Sequence, residues 1–268
     1  MVTNASTFRQ LHQNTTPLRL PNAWDAGSAR LFESLGARAI ATTSAGVAWA
    51  LGYADGRLLA VSELMGLASR MMRLIEVPVS FDIENGYSDD PKVVAGHAVR
   101  LAELGVAGIN IEDGRDQPSL LASKIEAIRE AVAKTNIDLF VNVRSDVFLA
   151  GLVEKSKLVG ETIARGELYV RAGADGFFVP GIAQPEHITA VASAVSLPLN
   201  VMAWPGLAAA TELGRLGVRR LSAGSAISQV LWAQAEELAR EFLESGDSAP
   251  LSQSAMPYSR LQGLFPKT

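Results

Sequence analysis

Residues 101–114, LAELGVAGINIEDG, contain one complete joint between a helix and a strand. The helix-like segment ends at Leu104, Gly105 can cap it, and the apolar run 108–111 follows within a few residues. Related phrases precede three other apolar runs: LGA at 35–37, AGA at 172–174 and LGV at 216–218. A helix-turn-strand joint that recurs in this way is typical of βα units arranged around a parallel sheet.

Eight such units can be followed along the chain. The apolar runs, which we interpret as strands, cover 18–20, 39–43, 77–83, 108–111, 139–143, 176–179, 198–202 and 219–222. The amphipathic segments that follow them cover 26–35, 62–75, 91–104, 120–134, 161–172, 185–195, 207–216 and 225–244. This pattern predicts an α/β fold of the (β/α)8 TIM barrel class. A doubly wound open sheet is the alternative, but the glycine fingerprint of dinucleotide-binding sheets opens no helix here.

The length of the chain also suits one barrel. With 268 residues, of which 48% are hydrophobic and 19% charged, we expect a single domain over 1–268. The last part, 249–268, contains Pro250, Pro257 and Pro266. Because proline interrupts helices, this part should form a C-terminal tail that packs on a neighbour instead of extending the last helix.

The composition argues against nucleic acids and membranes as binding partners. The net charge is −4 and there is no run of Lys or Arg, so the sequence shows no electrostatic footprint for nucleic acid or an anionic membrane. The start lacks the pattern of an export signal, and no stretch approaches the roughly 18 to 20 apolar residues of a membrane span. We therefore expect a cytoplasmic protein that binds small molecules. The lack of cysteine excludes disulfides, thiolate metal sites and cysteine nucleophiles.

Polar side chains follow the third, fourth and fifth predicted strands, at the end where a barrel carries its catalytic groups. Because strand side chains alternate between faces, residues two apart point the same way. These neighbouring strands should therefore direct acids and one arginine into the barrel: Asp82 with Glu84, Asn110 with Glu112, and Asn142 with Arg144 and Asp146.

An interior cluster of carboxylates is unfavourable by itself, since the charges repel one another and are costly to remove from water. A bound cation is the simplest compensation. Oxygen ligands without His or Cys nearby favour Mg²⁺, with Mn²⁺ as the alternative, over Zn²⁺. The competing interpretation is that these acids pair only with Arg144 and with amides at the strand ends.

Other catalytic groups are absent from the predicted strand ends. The lysines lie in helices, loops or the tail, which disfavours Schiff-base chemistry, and the histidines also miss the strand ends. A metal, carboxylates, Arg144, hydroxyls and backbone amides remain. This set suits stabilisation of the enolate that forms when a 2-oxo acid loses CO2 or undergoes retro-aldol cleavage.

The strand ends together resemble the isocitrate lyase and phosphoenolpyruvate mutase superfamily over nearly the full length of the chain. Any one of the shared motifs is weak, but their joint order and spacing are specific. The motifs are LPNAWDAGSARLFESLGARAIATTSAGVAWALGYADG (20–56), VPVSFDIENGY (77–87), GINIEDG (108–114), VNVRSD (141–146), GADGFFVPG (173–181), PLNVMAWPG (198–206) and GVRRLSAG (217–224).

The resemblance implies roles for particular residues. Asp82 would be the direct Mg²⁺ ligand and would contact the substrate, with Asp55, Glu84 and Glu112 holding the metal's waters. Arg144 would grip the oxo acid, and Arg144, Glu112 and Asp55 form the implied catalytic set. Further substrate contacts are implied for Asn200 and for the turn of Thr43, Ser44, Ala45 and Gly46, through hydroxyl and backbone donors. Trp24 and Trp204 lie at strand ends, where they would either wall the pocket or serve as packing residues.

The chain departs from the family pattern after the fourth predicted strand. Lyase members carry a KKCGH-like loop there, whose cysteine serves in acid-base chemistry, whereas this chain has GRDQPS at 114–119. The difference argues against isocitrate cleavage by the cysteine route. It favours the branch of the superfamily that contains oxaloacetate decarboxylase.

Three functions are compatible with these observations. The first is a Mg²⁺-dependent lyase that cleaves a carbon–carbon bond in a small 2-oxo or 2-hydroxy di- or tricarboxylic acid, through an enolate. The second is phosphonopyruvate-type hydrolase or phosphomutase chemistry, with a phosphate near 222–225. The third is a non-catalytic barrel that binds an oxo acid such as 2-oxoglutarate, which the short loop at 114–119 suggests.

Two further features concern motion and assembly. The connection 147–160 is long enough to form a lid or a helical insertion. The resemblance implies a homo-oligomer, either a dimer or a tetramer, in which the last helix at 225–244 is exchanged between subunits.

Overall fold

The computed structural model describes residues 3–253 and 255–265. The strands in these ranges are β1 (Leu18–Leu20), β2 (Asn22–Ala23), β3 (Ile40–Thr42), β4 (Val79–Asp82), β5 (Gly108–Glu112), β6 (Phe140–Arg144), β7 (Gly176–Phe178), β8 (Leu199–Met202) and β9 (Val218–Ser222). They form one parallel sheet in the order β1-β9-β8-β7-β6-β5-β4-β3-β2.

The sheet closes on itself because β1 and β2 are two halves of one interrupted strand. β1 pairs with β9, β2 pairs with β3, and only Pro21 separates the two halves. Proline has no N–H to donate to a strand ladder, which explains the interruption at this point. The predicted TIM barrel is therefore confirmed, with its first strand split in two.

The helices in the described ranges are α1 (Asn4–Leu11), α2 (Ala26–Ser34), α3 (Ser44–Ala50), α4 (Val61–Leu74), α5 (Pro91–Glu103), α6 (Pro118–Thr135), α7 (Leu158–Ala172), α8 (Pro185–Ala194), α9 (Ala210–Arg215), α10 (Ala226–Ser245), α11 (Ala249–Gln253) and α12 (Tyr258–Gln262). Each of the eight predicted helices is present, with ends shifted by at most three residues. Three of them begin at a proline, which suits the first turn because its N–H has no helical partner: Pro91, Pro118 and Pro185. The sequence pattern did not predict α1 or α3.

The amino-terminal end of the barrel is closed by α1. Phe8 on this helix is buried and packs edge-on against Phe140 at the start of β6, with the ring centroids 5.3 Å apart. Gly108 leaves room for the pair, since a Cβ there would lie 3.1 Å from Phe8 and 2.8 Å from the Phe140 carbonyl oxygen. The two rings form an apolar plug with Leu11, Leu18, Leu20, Ala39, Ala41 and Ala107.

A layer of polar side chains, which we call the amide layer, crosses the barrel interior above this plug. Asn142 Nδ2 donates to Oδ1 of Asn110 at 2.9 Å and to Oδ1 of Asn200 at 3.1 Å. Asn200 Nδ2 donates to Ser222 Oγ at 3.0 Å, and the fully buried Arg220 donates to Asn110 Oδ1 at 3.2 Å. The amide layer thus forms a polar floor below the carboxyl ends of the strands.

The helix α10 packs against the rest of the chain only at its start. Of its residues only Ser228 is buried. From Val230 onward its large apolar side chains are exposed: Val230, Leu231, Trp232, Leu238, Phe242 and Leu243. No helix in 3–253 or 255–265 has both the length and the apolar character that crossing a bilayer requires.

The predicted tail at 249–268 contains the two short helices α11 and α12. Arg30 Nε on α2 donates to the carbonyl oxygen of Leu264 at 2.8 Å, so the end of the tail returns to the barrel of the same chain. Residues 254 and 266–268, with Pro266 among them, lie outside the described part of the tail.

Candidate active site

A cavity of about 420 Å³ lies at the carboxyl-terminal end of the barrel. Its polar side contains Asp82 from the end of β4, Arg144 from the end of β6 and Asp55 from the loop after α3. Its apolar side is formed by Leu149, Phe178, Met202 and Trp204. Among the described residues that line this cavity, Arg144 is the only cation. The site therefore combines two acids and one arginine with an apolar wall.

Asp82 is held by hydrogen bonds from its own strand end and from β3. Its N–H donates to Thr42 Oγ1 at 2.8 Å, and its Oδ1 accepts the N–H of Glu84 at 3.0 Å. Burial raises the pKa of the Asp82 carboxyl; the charge of Arg144 opposes this rise and that of Asp55 adds to it. The protein alone therefore compensates the ionised form of Asp82 incompletely.

Glu84 lies behind Asp82 and links it to the loop that carries Asp55. The backbone at Glu84 has a left-handed φ of 50°, and its carboxylate accepts the N–H of Arg57. Arg57 in turn binds Asp116 Oδ2 at 2.5 Å. Burial raises the pKa of Glu84, the Arg57 N–H lowers it, and the charges of Asp82 and Asp55 raise it. The Arg57–Glu84 contact brings the exposed loop 51–58 to the rim of the cavity.

Arg144 lies between two carboxylates. Its Nη1 is 2.7 Å from Glu112 Oε2, and its Nε and Nη2 donate to the two oxygens of Asp146 at 2.6 and 2.9 Å. Burial raises the pKa of Glu112 to about 8 against the opposing charge of Arg144, with Asp82 and Asp146 adding to the rise. Glu112 is therefore harder to ionise than an exposed glutamate, and a nearby cation would favour its ionised form.

The turn of Thr43 to Gly46 is the start of α3. Thr43, Ser44 and Ala45 line the cavity, whereas Gly46 is buried behind them. A Cβ on Gly46 would lie 2.8 Å from Thr43 Cγ2 and 3.0 Å from Trp24 Cβ, so the close approach of this turn requires glycine. The first N–H groups of a helix have no acceptor within it; here the Ser44 N–H contacts the Asp82 carboxylate, and the Ala45 N–H is left available to a ligand.

Several residues of the predicted site lie outside the cavity lining. Asn200 is fully buried in the amide layer. The Trp24 ring packs edge-on against Phe32 on α2, with centroids 6.1 Å apart, and borders a separate depression beside α10. Three further predicted residues lie directly behind the lining: Glu84, Glu112 and Gly46. The predicted residues that do line the cavity are Asp55, Asp82, Arg144, Thr43, Ser44, Ala45 and Trp204.

A larger cleft of about 750 Å³ lies elsewhere, between the segment 11–21 and α2. Leu11, Pro17, Phe32 and Leu35 contribute to its lining, which contains no acid among the described residues. The smaller cavity is therefore the candidate active site, because it alone of these two collects the predicted acids and Arg144.

Comparison with known proteins assigns the chain to a family. The sequence profile of the family described as phosphoenolpyruvate phosphomutase matches residues 8–243. The chain belongs to this family. The match spans the whole barrel, from α1 to α10, and it confirms the resemblance drawn from the strand-end motifs.

Two relatives of this phosphoenolpyruvate phosphomutase family member cover most of its length. An uncharacterised protein of Mycobacterium tuberculosis strain H37Rv is 38% identical over 261 residues, which is 96% of this chain and 95% of the relative. The oxaloacetate decarboxylase of Pseudomonas fluorescens strain SBW25 is 30% identical over 231 residues, which is 81% of this chain and 77% of the decarboxylase.

Solved structures agree with the family assignment. A protein of Burkholderia cenocepacia, provisionally named a phosphonomutase, superposes with a TM-score of 0.83 at 36% identity and covers 88% of this chain and 99% of its own. The 2,3-dimethylmalate lyase, a member of the PEP mutase/isocitrate lyase superfamily, gives a TM-score of 0.85 at 25% identity over 98% of this chain and 95% of its own. Lyases and mutases thus share the fold of this chain.

The site offers oxygen donors, which fit a hard cation. Within the described ranges, no three His, Asp or Glu side chains come close enough to form a metal-binding group by themselves. The raised pKa values of Asp82, Glu84 and Glu112 nevertheless indicate acids that a cation would stabilise. Mg²⁺ keeps several waters and takes one or two carboxylates, so this arrangement suits Mg²⁺ better than Zn²⁺.

Some lining residues were not in the predicted site, and only part of them could have been found from sequence. Phe178 on β7 pairs with Arg144 on β6. It is two residues after Gly176, so the alternation of strand side chains directs it to the same inward face. Asn110 on β5, which alternation already directed into the barrel, lines the cavity, and Asn22 on β2 follows the same rule. Leu149 and Gln229 come from a connection and from α10, where no periodic pattern indicates the direction of a side chain.

Proposed function

We propose that this protein is a Mg²⁺-dependent lyase that breaks a carbon–carbon bond, by loss of CO2 or by retro-aldol cleavage, in a small 2-oxo or 2-hydroxy di- or tricarboxylic acid. The observation that carries the proposal is the cavity that holds Asp82 and Arg144, with no lysine or histidine among its described lining residues. Oxygen ligands beside one arginine suit an acid that chelates a metal and forms an enolate. Similarity to an oxaloacetate decarboxylase supports CO2 loss as the first reaction to test.

Four acids would hold the metal. Asp82 would bind Mg²⁺ directly, and Asp55, Glu84 and Glu112 would bind its water ligands. When bound, the metal supplies Lewis-acid polarisation of the 2-oxo group. The same cation would compensate the charges that raise the pKa values of Asp82 and Glu84.

Arg144 would bind the oxo acid through the N–H groups that its two carboxylate partners leave free. A guanidinium has five N–H donors, and the contacts to Glu112 and Asp146 use three of them. The start of α3, with Ser44 and Ala45 in the cavity lining, would bind the substrate carboxylate through hydroxyl and backbone N–H donors. These contacts would orient the acid across the cavity.

The apolar wall favours CO2 loss over retro-aldol cleavage. In decarboxylation the electron pair of the C3–C4 bond passes into the C2–C3 enolate, the carboxylate leaves as CO2, and C3 takes a proton from water. Because negative charge leaves the carboxylate in this step, apolar neighbours such as Leu149, Phe178 and Met202 disfavour the reactant more than the transition state. Retro-aldol cleavage needs in addition a base that takes the hydroxyl proton.

A panel of oxo acids with and without Mg²⁺ tests the proposal. CO2 and the oxo-acid product are measured for oxaloacetate and for longer 2-oxo and 2-hydroxy acids, against the uncatalysed rate with Mg²⁺ alone. We expect Mg²⁺-dependent turnover that Asp82→Asn removes and that Asp138→Asn, at the other end of the barrel, retains. Intact Mg²⁺ affinity and intact turnover in Asp82→Asn would show that the proposal is wrong.

Phosphorus–carbon chemistry is the second candidate, which the similarity to the provisionally named phosphonomutase favours. Ser222 and Ser225 line the cavity and could face a phosphonate. However, the N–H of Gly224 between them already donates to Asn22 Oδ1 at 2.9 Å, so it is not free for a phosphate. Phosphate release from phosphonopyruvate, followed by ³¹P NMR, would favour this candidate. Binding of 2-oxoglutarate without any product would instead indicate a non-catalytic barrel.

We also propose that a second copy of the chain covers α10 in a dimer or tetramer. Leu231, Leu238 and Phe242 form an apolar stripe on this helix, and all three are exposed. Light scattering at micromolar concentration should give an oligomer that Phe242→Glu dissociates. Glu236→Gln changes a charged position of the same helix and should leave the oligomer intact. A monomeric wild type would contradict the proposal.

A further inference from the structure

Asp113 follows Glu112 at the end of the barrel strand β5, but its side chain is fully buried on the other face, towards α7. Its Oδ2 accepts hydrogen bonds from Ser145 Oγ at 3.0 Å, Arg165 Nη1 at 2.9 Å and Tyr169 OH at 2.7 Å. Burial and the charge of Asp113 raise the pKa of Tyr169, so the hydroxyl keeps its proton and remains a donor. A buried carboxylate with this many partners has one well-defined position.

Asp113 fixes the chain after β6 at three successive residues. Its N–H donates to the carbonyl oxygen of Arg144 at 3.1 Å. Its carboxylate binds the hydroxyl of Ser145 and, through Oδ1, the N–H of Asp146 at 2.9 Å. Asp146 then accepts Nε and Nη2 of Arg144, a paired contact that sets the plane of the guanidinium.

We propose that Asp113 is a positioning residue that orients Arg144 through Asp146, so that the unused N–H groups of Arg144 face the cavity. The inference rests on the proposed function only where it takes Arg144 to bind the substrate. The contacts that join Asp113, Asp146 and Arg144 are independent of the reaction.

The same carboxylate anchors both ends of the connection 147–157. Asp146 precedes this connection, and Arg165 and Tyr169 lie on α7, which follows it. Of the predicted lid at 147–160, residues 155–157 form a short 3-10 turn and the remainder from Leu158 is the start of α7. Leu149 in this connection lines the cavity, so Asp113 positions part of the apolar wall together with Arg144.

Asp175 at the other end of the barrel offers a matched control. It is also a largely buried carboxylate, it binds Arg9 and Arg129, and it accepts the N–H of Val141 at 2.8 Å. None of these four residues lines the active-site cavity. Loss of Asp175 should therefore lower stability as loss of Asp113 does, without moving Arg144.

The first readout is the side-chain Nε–H resonance of Arg144 in ¹⁵N-labelled protein, assigned by its absence from Arg144→Lys. Because this N–H is bonded to Asp146 in the wild type, we expect slow exchange with water. Asp113→Asn should shift the resonance and accelerate its exchange. Tyr169→Phe removes a single bond to Asp113, and we expect a smaller change in the same direction. If Asp113→Asn does not fold, Tyr169→Phe still tests whether Asp113 positions Arg144.

The second readout is the steady-state kinetics of an acid that the wild type turns over. Asp113→Asn should lower kcat/KM by roughly tenfold to a hundredfold, mostly through a higher KM, because the misplaced group acts in binding. Asp175→Asn should lower Tm and leave both readouts unchanged. If the wild type turns over no acid of the panel, the proposed function fails, and the Arg144 resonance still tests the positioning role.

An unchanged Arg144 resonance in folded Asp113→Asn overturns the proposal directly. If Asp113→Asn does not fold, an unchanged resonance in Tyr169→Phe overturns it. A change of equal size in Asp175→Asn also overturns it, because the effect would then reflect general loosening of the barrel. A shifted resonance in the Asp113 and Tyr169 variants, with the Asp175 variant unchanged, supports it.

Discussion

At the amino-terminal end of the barrel, the Asp175 carboxylate lies between the guanidinium groups of Arg9 and Arg129. At the carboxyl-terminal end, Arg144 pairs with both Glu112 and Asp146, and its charge also acts on Asp82. Because Arg9 also binds Asp138, the first network has two arginines for two acids, whereas the second has one arginine for the three acids Asp82, Glu112 and Asp146. A protein optimised only for stability would compensate both ends, so the deficit of positive charge at the second end supports the proposed cation site.

The packing of the aromatic side chains also differs between the two ends of the barrel. Phe8 and Phe140 fill the amino-terminal interior against each other and against small residues of the strands. Phe178 on β7 is also buried but borders the active-site cavity, and its ring lies 5.9 Å from the Arg144 guanidinium carbon. One end of the interior is thus packed, and the other is left open for a ligand.

Asp82→Asn should have the largest effect and should sharpen this contrast. Turnover should fall by roughly a thousandfold or more, since the proposed direct metal ligand is lost. In Mg²⁺-free buffer the Tm of the variant should nevertheless rise, because burial raises the pKa of Asp82 and its ionised form destabilises the folded protein.

The control for this experiment is Asp175→Asn, which removes a carboxylate with two arginine partners and a strand N–H. It should lower the free energy of unfolding by about 2 kcal/mol and leave turnover intact. Thermal denaturation with and without Mg²⁺ measures both variants. If both lost stability equally in Mg²⁺-free buffer, the contrast between the two ends would be wrong.

Truncation of one phenylalanine at each end should give opposite results. Phe8→Ala should lower the free energy of unfolding by about 3 to 5 kcal/mol, because it empties a packed interior, and should leave kcat/KM within roughly twofold. Phe178→Ala should cost less stability, since the cavity already borders the ring, but should lower kcat/KM more than Phe8→Ala does. Urea denaturation and steady-state kinetics of both variants at one temperature test this pair, and equal effects on stability would contradict it.

The pH dependence of stability should originate partly at the packed end. Burial, with the nearby charge of Arg220, lowers the pKa of His12 to about 3 from the 6.5 of an exposed histidine. The unfolded chain therefore binds a proton that the folded chain excludes between pH 6.5 and 3, so stability is full above pH 6.5 and falls as the pH falls. The loss should be about 1.4 kcal/mol per pH unit in that window.

His12→Asn tests this smallest effect. The asparagine amide can replace the contact of the His12 Nδ1 with the Phe8 carbonyl oxygen, which is 2.7 Å long, and it carries no titratable proton. The free energy of unfolding of the variant should change less between pH 7 and pH 5 than that of the wild type. Parallel curves for the two proteins would exclude His12 as a source of acid sensitivity.

The barrel and the inward direction of most side chains at its strand ends could be predicted from the sequence because both depend on local, repeated rules. A glycine-capped helix followed by an apolar run recurs often enough to define the βα unit, and alternation of side chains then places Asp82 and Arg144 inside. The helix α1 escaped prediction because it is short and its signal is the reciprocal capping of Thr3 and Ser6. The run 44–50 resembles a turn with small residues, although it forms α3.

Depth along the barrel axis could not be predicted in the same way. Alternation directs Asn200 inward, yet the residue lies in the amide layer below the cavity. Its height depends on the stagger of the strands around the barrel and on a register shift between Leu199 and Asn200 in the pairing with β9. Neither the stagger nor the register shift can be predicted from a single sequence. The contacts of Asp113 could not be predicted either, because its partners lie on other elements.

The closure of the barrel through β1, just before Pro21, determines when the first strand can find its partner during synthesis. The seam joins Leu18 to Arg220, so the first strand gains its last partner only when almost all of the barrel has been made. At roughly 5 to 20 residues per second, β1 leaves the ribosome about ten seconds or more before β9. During that interval a free strand edge is a template for association with other chains. The broken, three-residue β1 and the neighbouring α1 make this nascent edge short, which limits the hazard for a ribosome-bound chain.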